Sequence, residues 1–375
     1  MKLLALADDL TGAVETGAKF AAEGVAALVA AEFSPPRRRG AEKVLVLNCE
    51  SRHLTPVEAA SRVRNCVAAN QFDWLYKKTD STLRGNIGSE LNALLDVCPN
   101  RSLIYAPAYP RLGRTVRNGC LYVDGRPLHE TSFAWDRLNP VRESSVPALL
   151  APHTSHRIFT IGGRRQLRAA LESGAAAIFV CDAESDEEIM GIAEEAAASP
   201  LAPLAAGPAA FAECLARLLP FDRTYPDYSP CVCRCLVVNG SLHEVSKRQV
   251  ENARAPVFAL GDEKAAIEVL KSGWAVLATR PELGDAAAIG DRIGRSVRSM
   301  VEQAQPDALV VFGGDTASAV LRALSVHSVQ PFRELLPGVP LSRLERPNLA
   351  LVTKAGGFGP ADLIPCLRDL ASRGW

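Results

Sequence analysis

Short apolar runs alternate along most of the chain with segments that have the hydrophobic spacing of helices. Residues 3–7 form an apolar run of strand length, and the segment after it carries one helical face at Val14, Ala18, Ala21 and Ala22. Similar runs recur at residues 44–47, 103–105, 158–161, 176–181, 235–238, 274–278, 308–312 and 349–352. Strands that alternate with helices build mostly parallel sheets. The pattern therefore predicts an α/β fold in which mostly parallel sheets are flanked by helices.

The alternation is interrupted in two places. Residues 111–147 consist of short polar and aromatic pieces rich in Gly and Pro, and an insertion of this length in an α/β domain usually folds over a site. Residues 221–230 contain two prolines and two tyrosines without an apolar period. A chain of 375 residues is long enough for two cores. We predict an N-terminal domain of residues 1–225, a C-terminal domain of residues 231–375, and an active site in the cleft between them.

Three polar clusters stand where an apolar run breaks into a glycine-containing turn and then a helix. They are residues 7–12, 77–86 and 312–317. In open α/β sheets, ligands bind beyond the carboxyl ends of the strands, so charged side chains placed there meet a ligand. Two clusters lie early in the chain and one lies late. This separation predicts two half-sites, one for a small polar substrate and one for phosphate, which meet across the cleft.

The late cluster belongs to a set of glycine turns. Gly313 and Gly314 precede a predicted helix that starts at Asp315 and Thr316, and residues 239–241 and 356–359 form two further turns of the same kind. Glycines let the backbone approach an anion, and a helix start offers unpaired N–H groups. The alternative is tight packing of strand against helix. The P-loop tripeptide G-K-[ST] and the dinucleotide pattern G-x-G-x-x-G are both absent from the sequence, which argues against a P-loop enzyme or a Rossmann dehydrogenase.

The early clusters have the chemistry of an acid-sugar site. Asp8 and Asp9 can accept hydrogen bonds from sugar hydroxyls, whereas Arg52, Lys78 and Arg84 can pair with a carboxylate. Ordinary helix capping is the alternative for Asp8, and a solvated strand edge is the alternative for Lys78 and its neighbour Lys77.

Composition and charge narrow the class of protein. The formal net charge is +0, and the basic run at residues 37–39 follows two prolines as a solvated loop would, so nucleic acid is not an expected partner. No apolar run approaches the roughly 20 residues that span a bilayer, and the N-terminus does not resemble a signal peptide. We therefore expect no membrane association and a cytoplasmic protein. The sequence leaves the oligomeric state open, a homodimer included.

The ten cysteines are scattered and are expected to be reduced thiols. Cys231, Cys233 and Cys235 are spaced two apart, which favours one buried face of a strand over a zinc site.

Together the motifs resemble the four-carbon acid sugar kinase family. The resemblance rests on Ala-Asp-Asp-Leu-Thr-Gly-Ala from Ala7 and on residues 48–52, 78–86, 107–110, 113–115, 239–241, 313–317 and 353–359. It implies a two-domain α/β kinase that uses ATP to phosphorylate the terminal (4-) hydroxyl of threonate, erythronate or 3-oxo-tetronate. The family carries its sugar-acid site in the N-terminal domain and its nucleotide site in the C-terminal domain.

The resemblance also implies residue roles. By position, the substrate would be contacted by Asp8, Asp9, Arg52, Lys78, Thr79, Asp80 and Ser81, to which charge adds Arg84. ATP would be contacted by Ser241, Gly313, Gly314, Asp315, Thr316, Gly356 and Gly357.

Phosphoryl transfer calls for a carboxylate near the attacking hydroxyl and for Mg²⁺ on the phosphates. The catalytic base is either Asp80 or Asp315, and the sequence does not assign the Mg²⁺ ligands. A non-catalytic sugar-acid sensor on the same scaffold is the main alternative. A dehydrogenase or an aldolase is a further one; the aldolase would need a Schiff-base lysine, for which Lys78 and Lys354 are the candidates.

Overall fold

The computed structural model describes residues 1–31, 42–136, 138–200, 204–279 and 286–375, so the basic run at residues 37–39 lies outside the described residues. The strands of this part are β1 (Leu3–Ala7), β2 (Ala27–Ala30), β3 (Val44–Asn48), β4 (Trp74–Lys78), β5 (Leu103–Tyr105), β6 (Arg114–Arg117), β7 (Cys120–Val123), β8 (Arg126–Pro127), β9 (Arg157–Ile161), β10 (Ala177–Cys181), β11 (Leu204–Gly207), β12 (Cys235–Asn239), β13 (Val257–Ala259), β14 (Trp274–Ala278), β15 (Ala308–Phe312), β16 (Ser328–Leu336), β17 (Val339–Leu344) and β18 (Leu349–Lys354). The α-helices are α1 (Leu10–Ala22), α2 (Pro56–Ala68), α3 (Ile87–Val97), α4 (Val146–Leu150), α5 (Arg164–Glu172), α6 (Asp186–Ala198), α7 (Ala209–Leu218), α8 (Glu244–Glu251), α9 (Glu263–Leu270), α10 (Ala286–Ala304), α11 (Gly314–Ala323) and α12 (Leu363–Ala371).

Two parallel sheets flanked by helices make up the molecule, as the alternating pattern predicts. The N-terminal lobe has the strand order β2-β3-β1-β4-β11-β5-β10-β9, in which every pairing is parallel. The C-terminal lobe has the order β13-β14-β12-β15-β18, also parallel, and adds the antiparallel pair β17 and β16. Both sheets therefore present the carboxyl ends of their parallel strands as ligand sites.

The two sheets are joined edge to edge. β16 pairs with β2 in antiparallel fashion through Ser328↔Ala30 and Val329↔Val29, so fifteen strands of the described chain form one continuous sheet. Beside this seam, Nζ of Lys19 lies 2.7 Å from Oε2 of Glu334 on β16. The seam holds the lobes in a fixed relation along one edge.

The first helix shows how local sequence and packing combine. Asp9 caps α1, and Gly24 follows its last turn in a left-handed conformation with φ of 75°. α1 packs against β16 and α7 as well as against its own sheet. Nearly every residue of the helix is therefore buried, polar ones included. The second helix begins at Pro56 with a capping box, which Thr55 forms with Glu58.

The predicted insertion forms its own small sheet of β6, β7 and β8. Its tight turn has positive φ at Asp124 (50°) and Gly125 (77°), which is the backbone that a two-residue hairpin requires. Residues 219–234, between α7 and β12, contain neither helix nor strand. The division into domains at residues 226–230 remains a prediction.

All ten cysteines lie among the described residues, and each is a free thiol. The expectation that Cys231, Cys233 and Cys235 share a buried strand face is wrong for the first two. β12 starts only at Cys235, and in the extended segment before it Val232 turns inward while Cys231 and Cys233 are exposed. Among the described helices, none combines the length and the apolarity needed to cross a bilayer.

Candidate active site

The start of α1 brings two aspartates to the carboxyl end of β1. Asp9 accepts hydrogen bonds from N of Gly12 and Oγ1 of Thr11, both at 2.8 Å. Arg52 joins the pair, since its Nε donates to Oδ2 of Asp8 and its Nη1 to Oδ2 of Asp9, both at 2.7 Å. Oδ1 of Asp8 is buried and has no hydrogen-bond partner in the described chain. Capping thus accounts for only part of Asp9, and a ligand hydroxyl would satisfy Asp8.

Asp80 follows β4 and is held in a fork by Arg84. Nε and Nη2 of Arg84 donate to its two oxygens, each at 2.9 Å, and Oγ1 of Thr82 donates to Oδ2 at 2.6 Å. Nη2 of Arg52 lies 3.6 Å from Oδ1 of Asp80. Burial by itself would raise the pKa of Asp80, but Arg84, Arg52 and these hydrogen bonds outweigh it and hold the pKa well below its ordinary value. Asp80 is therefore an ionised anchor for two arginines.

The two lysines of β4 are both buried, which rules out a solvated edge. Nζ of Lys77 lies 3.1 Å from Oε2 of Glu90, and Oε1 of Glu90 accepts a short hydrogen bond from Oγ of Ser51. Lys77 and Glu90 thereby support the loop that carries Arg52. Lys78 lies on the other face of the strand, where its Nζ donates to the carbonyl of Thr79 at 2.9 Å. Glu90 could not be predicted as a site residue, because only the packing of α3 places it beneath the loop.

The insertion covers this cluster. Nη1 of Arg84 lies 3.4 Å from Oδ2 of Asp136, and its guanidinium lies 5.6 Å from the centroid of the Phe133 ring. Nδ2 of Asn139 lies 3.0 Å from Nδ1 of His53, one residue after Arg52. The insertion therefore folds over the candidate site, as its length predicts.

In the C-terminal lobe the predicted glycine turns converge. β12, β15 and β18 are adjacent strands, so their carboxyl ends place the turns side by side. A Cβ added to Gly240 would lie 2.2 Å from Oγ1 of Thr316, and one added to Gly356 would lie 2.4 Å from Oγ of Ser241. Gly313 has φ of 98°, a conformation that favours glycine. Only glycine fits at these positions, and the three turns form one backbone-lined cradle.

His243 is a member of this cradle that the sequence did not reveal. A Cβ on Gly357 would lie 3.1 Å from its Nε2. Burial lowers the pKa of His243, and the positive charges of Lys354 and Arg84 lower it further. Because Arg84 belongs to the other lobe, His243 marks the place where the two half-sites approach each other.

Direct contact between the half-sites occurs at α11. A Cβ on Gly314 would lie 3.1 Å from both Oδ2 of Asp9 and Oγ1 of Thr11. A cavity beside this contact is lined by both lobes. Its lining includes Asp9, Arg52, Lys78, Asp80, Ser81 and Arg84 from the N-terminal lobe and Gly338, Thr353, Lys354 and Phe358 from the C-terminal lobe.

A second cavity lies on the other side of the Asp9–Arg52 ion pair. Asp315 lines it with an 82% exposed side chain, and Oδ1 of Asp315 lies 3.7 Å from Nε2 of His53. The imidazole of His53 beside it lowers the pKa of Asp315. Asp80 and Asp315 thus face different cavities that share one wall.

Two further ionisable groups line the first cavity. Burial raises the pKa of Glu15 to about 7, and its Oε1 accepts a hydrogen bond of 3.2 Å from the hydroxyl of Tyr109. Lys354 is 1% exposed, which the sequence did not indicate. Glu15 escaped the sequence analysis because it lies within a helix whose burial depends on distant strands.

No group of three or more His, Cys, Asp or Glu side chains in the described ranges could hold a metal ion. A divalent cation would therefore need ligands from bound phosphates, which suits Mg²⁺.

Two family models match the chain. A sugar-binding N-terminal domain matches residues 3–215, and a nucleotide-binding C-terminal domain matches residues 268–364. Three curated relatives are similar over nearly their whole length. The D-threonate kinase of Bordetella bronchiseptica is 33% identical (96% of this chain, 95% of the relative), and that of Salmonella typhimurium is 30% identical (96% of each). The D-erythronate kinase of Heliobacterium modesticaldum is 27% identical (95% and 94%), and relatives named 3-oxo-tetronate kinase also match.

Solved structures agree on the fold. A Salmonella typhimurium protein described as a putative tRNA synthase superposes with a TM-score of 0.82 at 22% identity, covering 98% of each chain. A Bordetella bronchiseptica domain with bound citrate, described as a domain-swapped dimer, has a TM-score of 0.52 at 31% identity and covers 99% of this chain and 98% of that one. From the match to the N-terminal family model over more than half its length, and from full-length relatives at 30% identity or more, the chain belongs to the four-carbon acid sugar kinase family.

Proposed function

We propose that the protein is an ATP-dependent kinase that phosphorylates the terminal (4-) hydroxyl of a four-carbon sugar acid: threonate, erythronate or 3-oxo-tetronate. One observation carries the proposal. Two adjoining cavities, which share the Asp9–Arg52 pair as a wall, are each lined by both lobes. The acidic and basic cluster of the N-terminal lobe faces the strand end that leads into the glycine turns in the first cavity and Asp315 in the second. A reaction that joins a small polar anion to a phosphate donor needs such a shared space.

The N-terminal cluster suits an acid sugar. Lys78, Arg84 and Arg52 supply positive charge for a carboxylate, and Asp8 and Asp9 supply acceptors for hydroxyl groups. Each arginine is already fixed by an aspartate, so little side-chain order is lost when the ligand binds.

The C-terminal cradle suits the phosphates of ATP. Ser241, Gly313, Thr316, Gly356 and Gly357 converge there, and bare glycine backbone allows an anion to approach closely. Bound Mg²⁺ would neutralise charge on the phosphates, whose oxygens would supply its ligands.

For the base we propose Asp315 rather than Asp80. The oxygens of Asp80 are occupied by Arg84 and Thr82, so they are poorly placed to take a proton. Asp315 is exposed at the start of α11 and has one side-chain partner, His53, among the described ion pairs. Closure of the lobes over both ligands would exclude water and limit ATP hydrolysis.

The substrate assignment predicts a selective turnover pattern. In an assay that couples ADP release to NADH oxidation, we expect ATP turnover with one or more of D-threonate, D-erythronate and 3-oxo-tetronate, and little with three- or five-carbon acids. Phosphorus–proton correlation in the NMR spectrum of the product should place the phosphate on C4. Tight acid-sugar binding without ATP turnover would instead support the sensor, and a phosphate on C2 or C3 would contradict the proposed regiochemistry.

Gly314 gives a test of the contact between the lobes. Gly314→Ala should lower kcat about 10- to 100-fold, because its Cβ would crowd Asp9 and Thr11 and shift the reacting groups by a fraction of an ångström. Unfolding in urea should change little, since alanine is favoured over glycine in a helix. Gly273→Ala is the matched control, because an added Cβ there meets no atom within 4 Å. Equal kcat in the two variants would show that the lobes do not need this contact.

We also propose that the protein works in the cytoplasm, where ATP is available, and that it can dimerise, as the Bordetella bronchiseptica structure is described as doing. Light scattering at micromolar concentration measures whether the protein is a dimer.

A further inference from the structure

A buried lysine with no assigned role lies between two of the three glycine turns, those at Gly313 and at Gly356. Lys354 is the last residue of β18 and pairs in register with Phe312, the last residue of β15. Its Nζ lies 4.3 Å from the centroid of the Phe312 ring, beside Gly313, and donates to the carbonyls of Ala355 (3.1 Å) and Gly356 (3.0 Å). The ammonium group therefore lies at the roots of both glycine turns and lines the cavity that the lobes share.

This lysine lacks the negative partner that buried lysines normally have. Nζ of Lys77 lies 3.1 Å from Glu90, and Nζ of Lys19 lies 2.9 Å from Glu213. Lys354 is equally buried, yet its third hydrogen bond goes to another neutral acceptor, Oγ of Ser246, at 2.9 Å. Among the described residues, no carboxylate forms an ion pair with it.

The glycine turn does not need the lysine to hold its shape. Oγ of Ser246 donates to the carbonyl of Gly356 at 2.7 Å, and Nε2 of Gln249 donates to the carbonyls of Phe358 (3.0 Å) and Pro360 (2.9 Å). Three neutral hydrogen bonds from α8 thus fix the loop. A charged group kept here at the cost of desolvation points to a role with an anion.

We propose that Lys354 is the cation that contacts the polyphosphate of the nucleotide between the two glycine turns. The proposal rests on the proposed kinase function. Nζ has three acceptors around it, the carbonyls of Ala355 and Gly356 and Oγ of Ser246, which is the environment that an ammonium group needs once a bound anion keeps it charged. Exchange of one carbonyl for a phosphate oxygen would replace a hydrogen bond to a neutral acceptor with an ion pair.

Protonation should therefore be linked to nucleotide binding. Burial lowers the pKa of Lys354 to about 7 in the free protein, and a nearby polyphosphate would raise it. The other ionisable groups around the cavity are His243 before α8, Asp9 and Glu15 of the first helix and its cap, Tyr109, Lys78, and the Arg52, Asp80 and Arg84 cluster. Of these, His243 is the one whose own pKa responds to Lys354, so it needs a separate variant.

The experiment is calorimetric titration with ATP, in EDTA and at pH 8, in buffers of different ionisation enthalpy. Phosphate groups, with a second pKa of about 6, are fully ionised at pH 8, so proton uptake reports the protein. The wild-type protein should take up between half a proton and one proton with ATP and almost none with adenosine. Lys354→Met should abolish the uptake and weaken ATP binding about 10- to 100-fold without changing the affinity for adenosine.

Two controls separate this role from others. Lys271→Met, at an exposed lysine, should behave as the wild type, and His243→Asn should retain the proton uptake. The proposal is overturned if Lys354→Met retains the uptake and the ATP affinity, or if it loses ATP and adenosine binding equally together with thermal stability. Borohydride trapping of 3-oxo-tetronate on Lys354, detected by mass spectrometry, would also overturn it.

A failure of the proposed kinase function can be told apart from a failure of the Lys354 assignment. ATP binding with lysine-dependent proton uptake, but without phosphorylation of any acid sugar, would leave the assignment of Lys354 standing and remove the substrate assignment. Phosphorylation of an acid sugar by Lys354→Met with wild-type kinetics would remove the assignment of Lys354 and leave the substrate assignment standing.

Discussion

Asp315→Asn is expected to lower kcat by about 10²- to 10⁴-fold while the KM for the acid sugar stays within about twofold of the wild type. Asparagine keeps the shape of the side chain but cannot accept the proton of the attacking hydroxyl. Among the ion pairs of the described residues, Asp315 is joined to the N-terminal lobe by His53 alone, so binding of the acid sugar should persist. Steady-state kinetics with the substrate identified in the coupled assay measures both constants. Because His53 lowers the pKa of Asp315 below 3.8, the wild-type rate should show no loss of base function above about pH 4.

Asp80→Asn is the informative comparison. Its oxygens anchor Arg84 and approach Arg52, so the expected effect is weaker binding of the acid sugar, seen as a higher KM. Asp369→Asn, at an exposed position of α12, should leave both constants unchanged. If Asp80→Asn lost kcat at unchanged KM while Asp315→Asn did not, the base would have to be reassigned to Asp80.

Arg52→Ala is expected to destabilise the protein by about 3–5 kcal/mol, the cost of leaving buried charges unpaired. One guanidinium reaches Asp8, Asp9 and Asp80, and no other side chain contacts all three in the described structure. Urea unfolding at pH 7 measures the free-energy difference. Arg52→Lys should recover part of it, because an ammonium group can satisfy one carboxylate but not a planar set of three.

Arg52→Ala should also change the pH at which the protein unfolds in acid. The folded-state pKa of Asp80 lies below its unfolded value, so its contribution to stability is complete above about pH 4 and is lost as the pH falls through the folded pKa. Without Arg52 the folded pKa rises, and the midpoint of acid unfolding should move to higher pH. Arg64→Ala, which removes an exposed pair with Asp96 at 3.6 Å, should cost less than about 1 kcal/mol. Equal costs for the two arginines would refute a buried network.

The strands of the parallel sheets were predictable because they are buried on both faces. Residues 308–312 and 349–352 are continuous apolar runs bounded by glycine turns, and the structure has strands there with nearly the same limits. The seam between the sheets was not predictable. β2 is the short, unremarkable run Ala27–Ala30, and it pairs with a strand some 300 residues later, which no local pattern can specify.

Some features of the candidate site could likewise be predicted from the sequence, and others could not. Residues that follow strand ends, such as Asp9, Arg52 and Gly356, could be predicted from their position in the sequence. The burial of Glu15 and of Lys354 could not be predicted, because it is set by elements from both lobes. Sequence patterns identify polar residues at an edge of a sheet but not the packing that desolvates them.

The seam between β2 and β16 governs how ligands reach the cavity. In the described part of the chain two residue pairs form it, joining backbone to backbone, and Lys19 links α1 to Glu334 beside them. A motion that separated the lobes across their full width would have to break these pairs, whereas a rotation about the seam keeps them. We therefore expect product release to use such a rotation, so mutations that stiffen or loosen residues 328 and 329 should alter turnover without contacting either ligand.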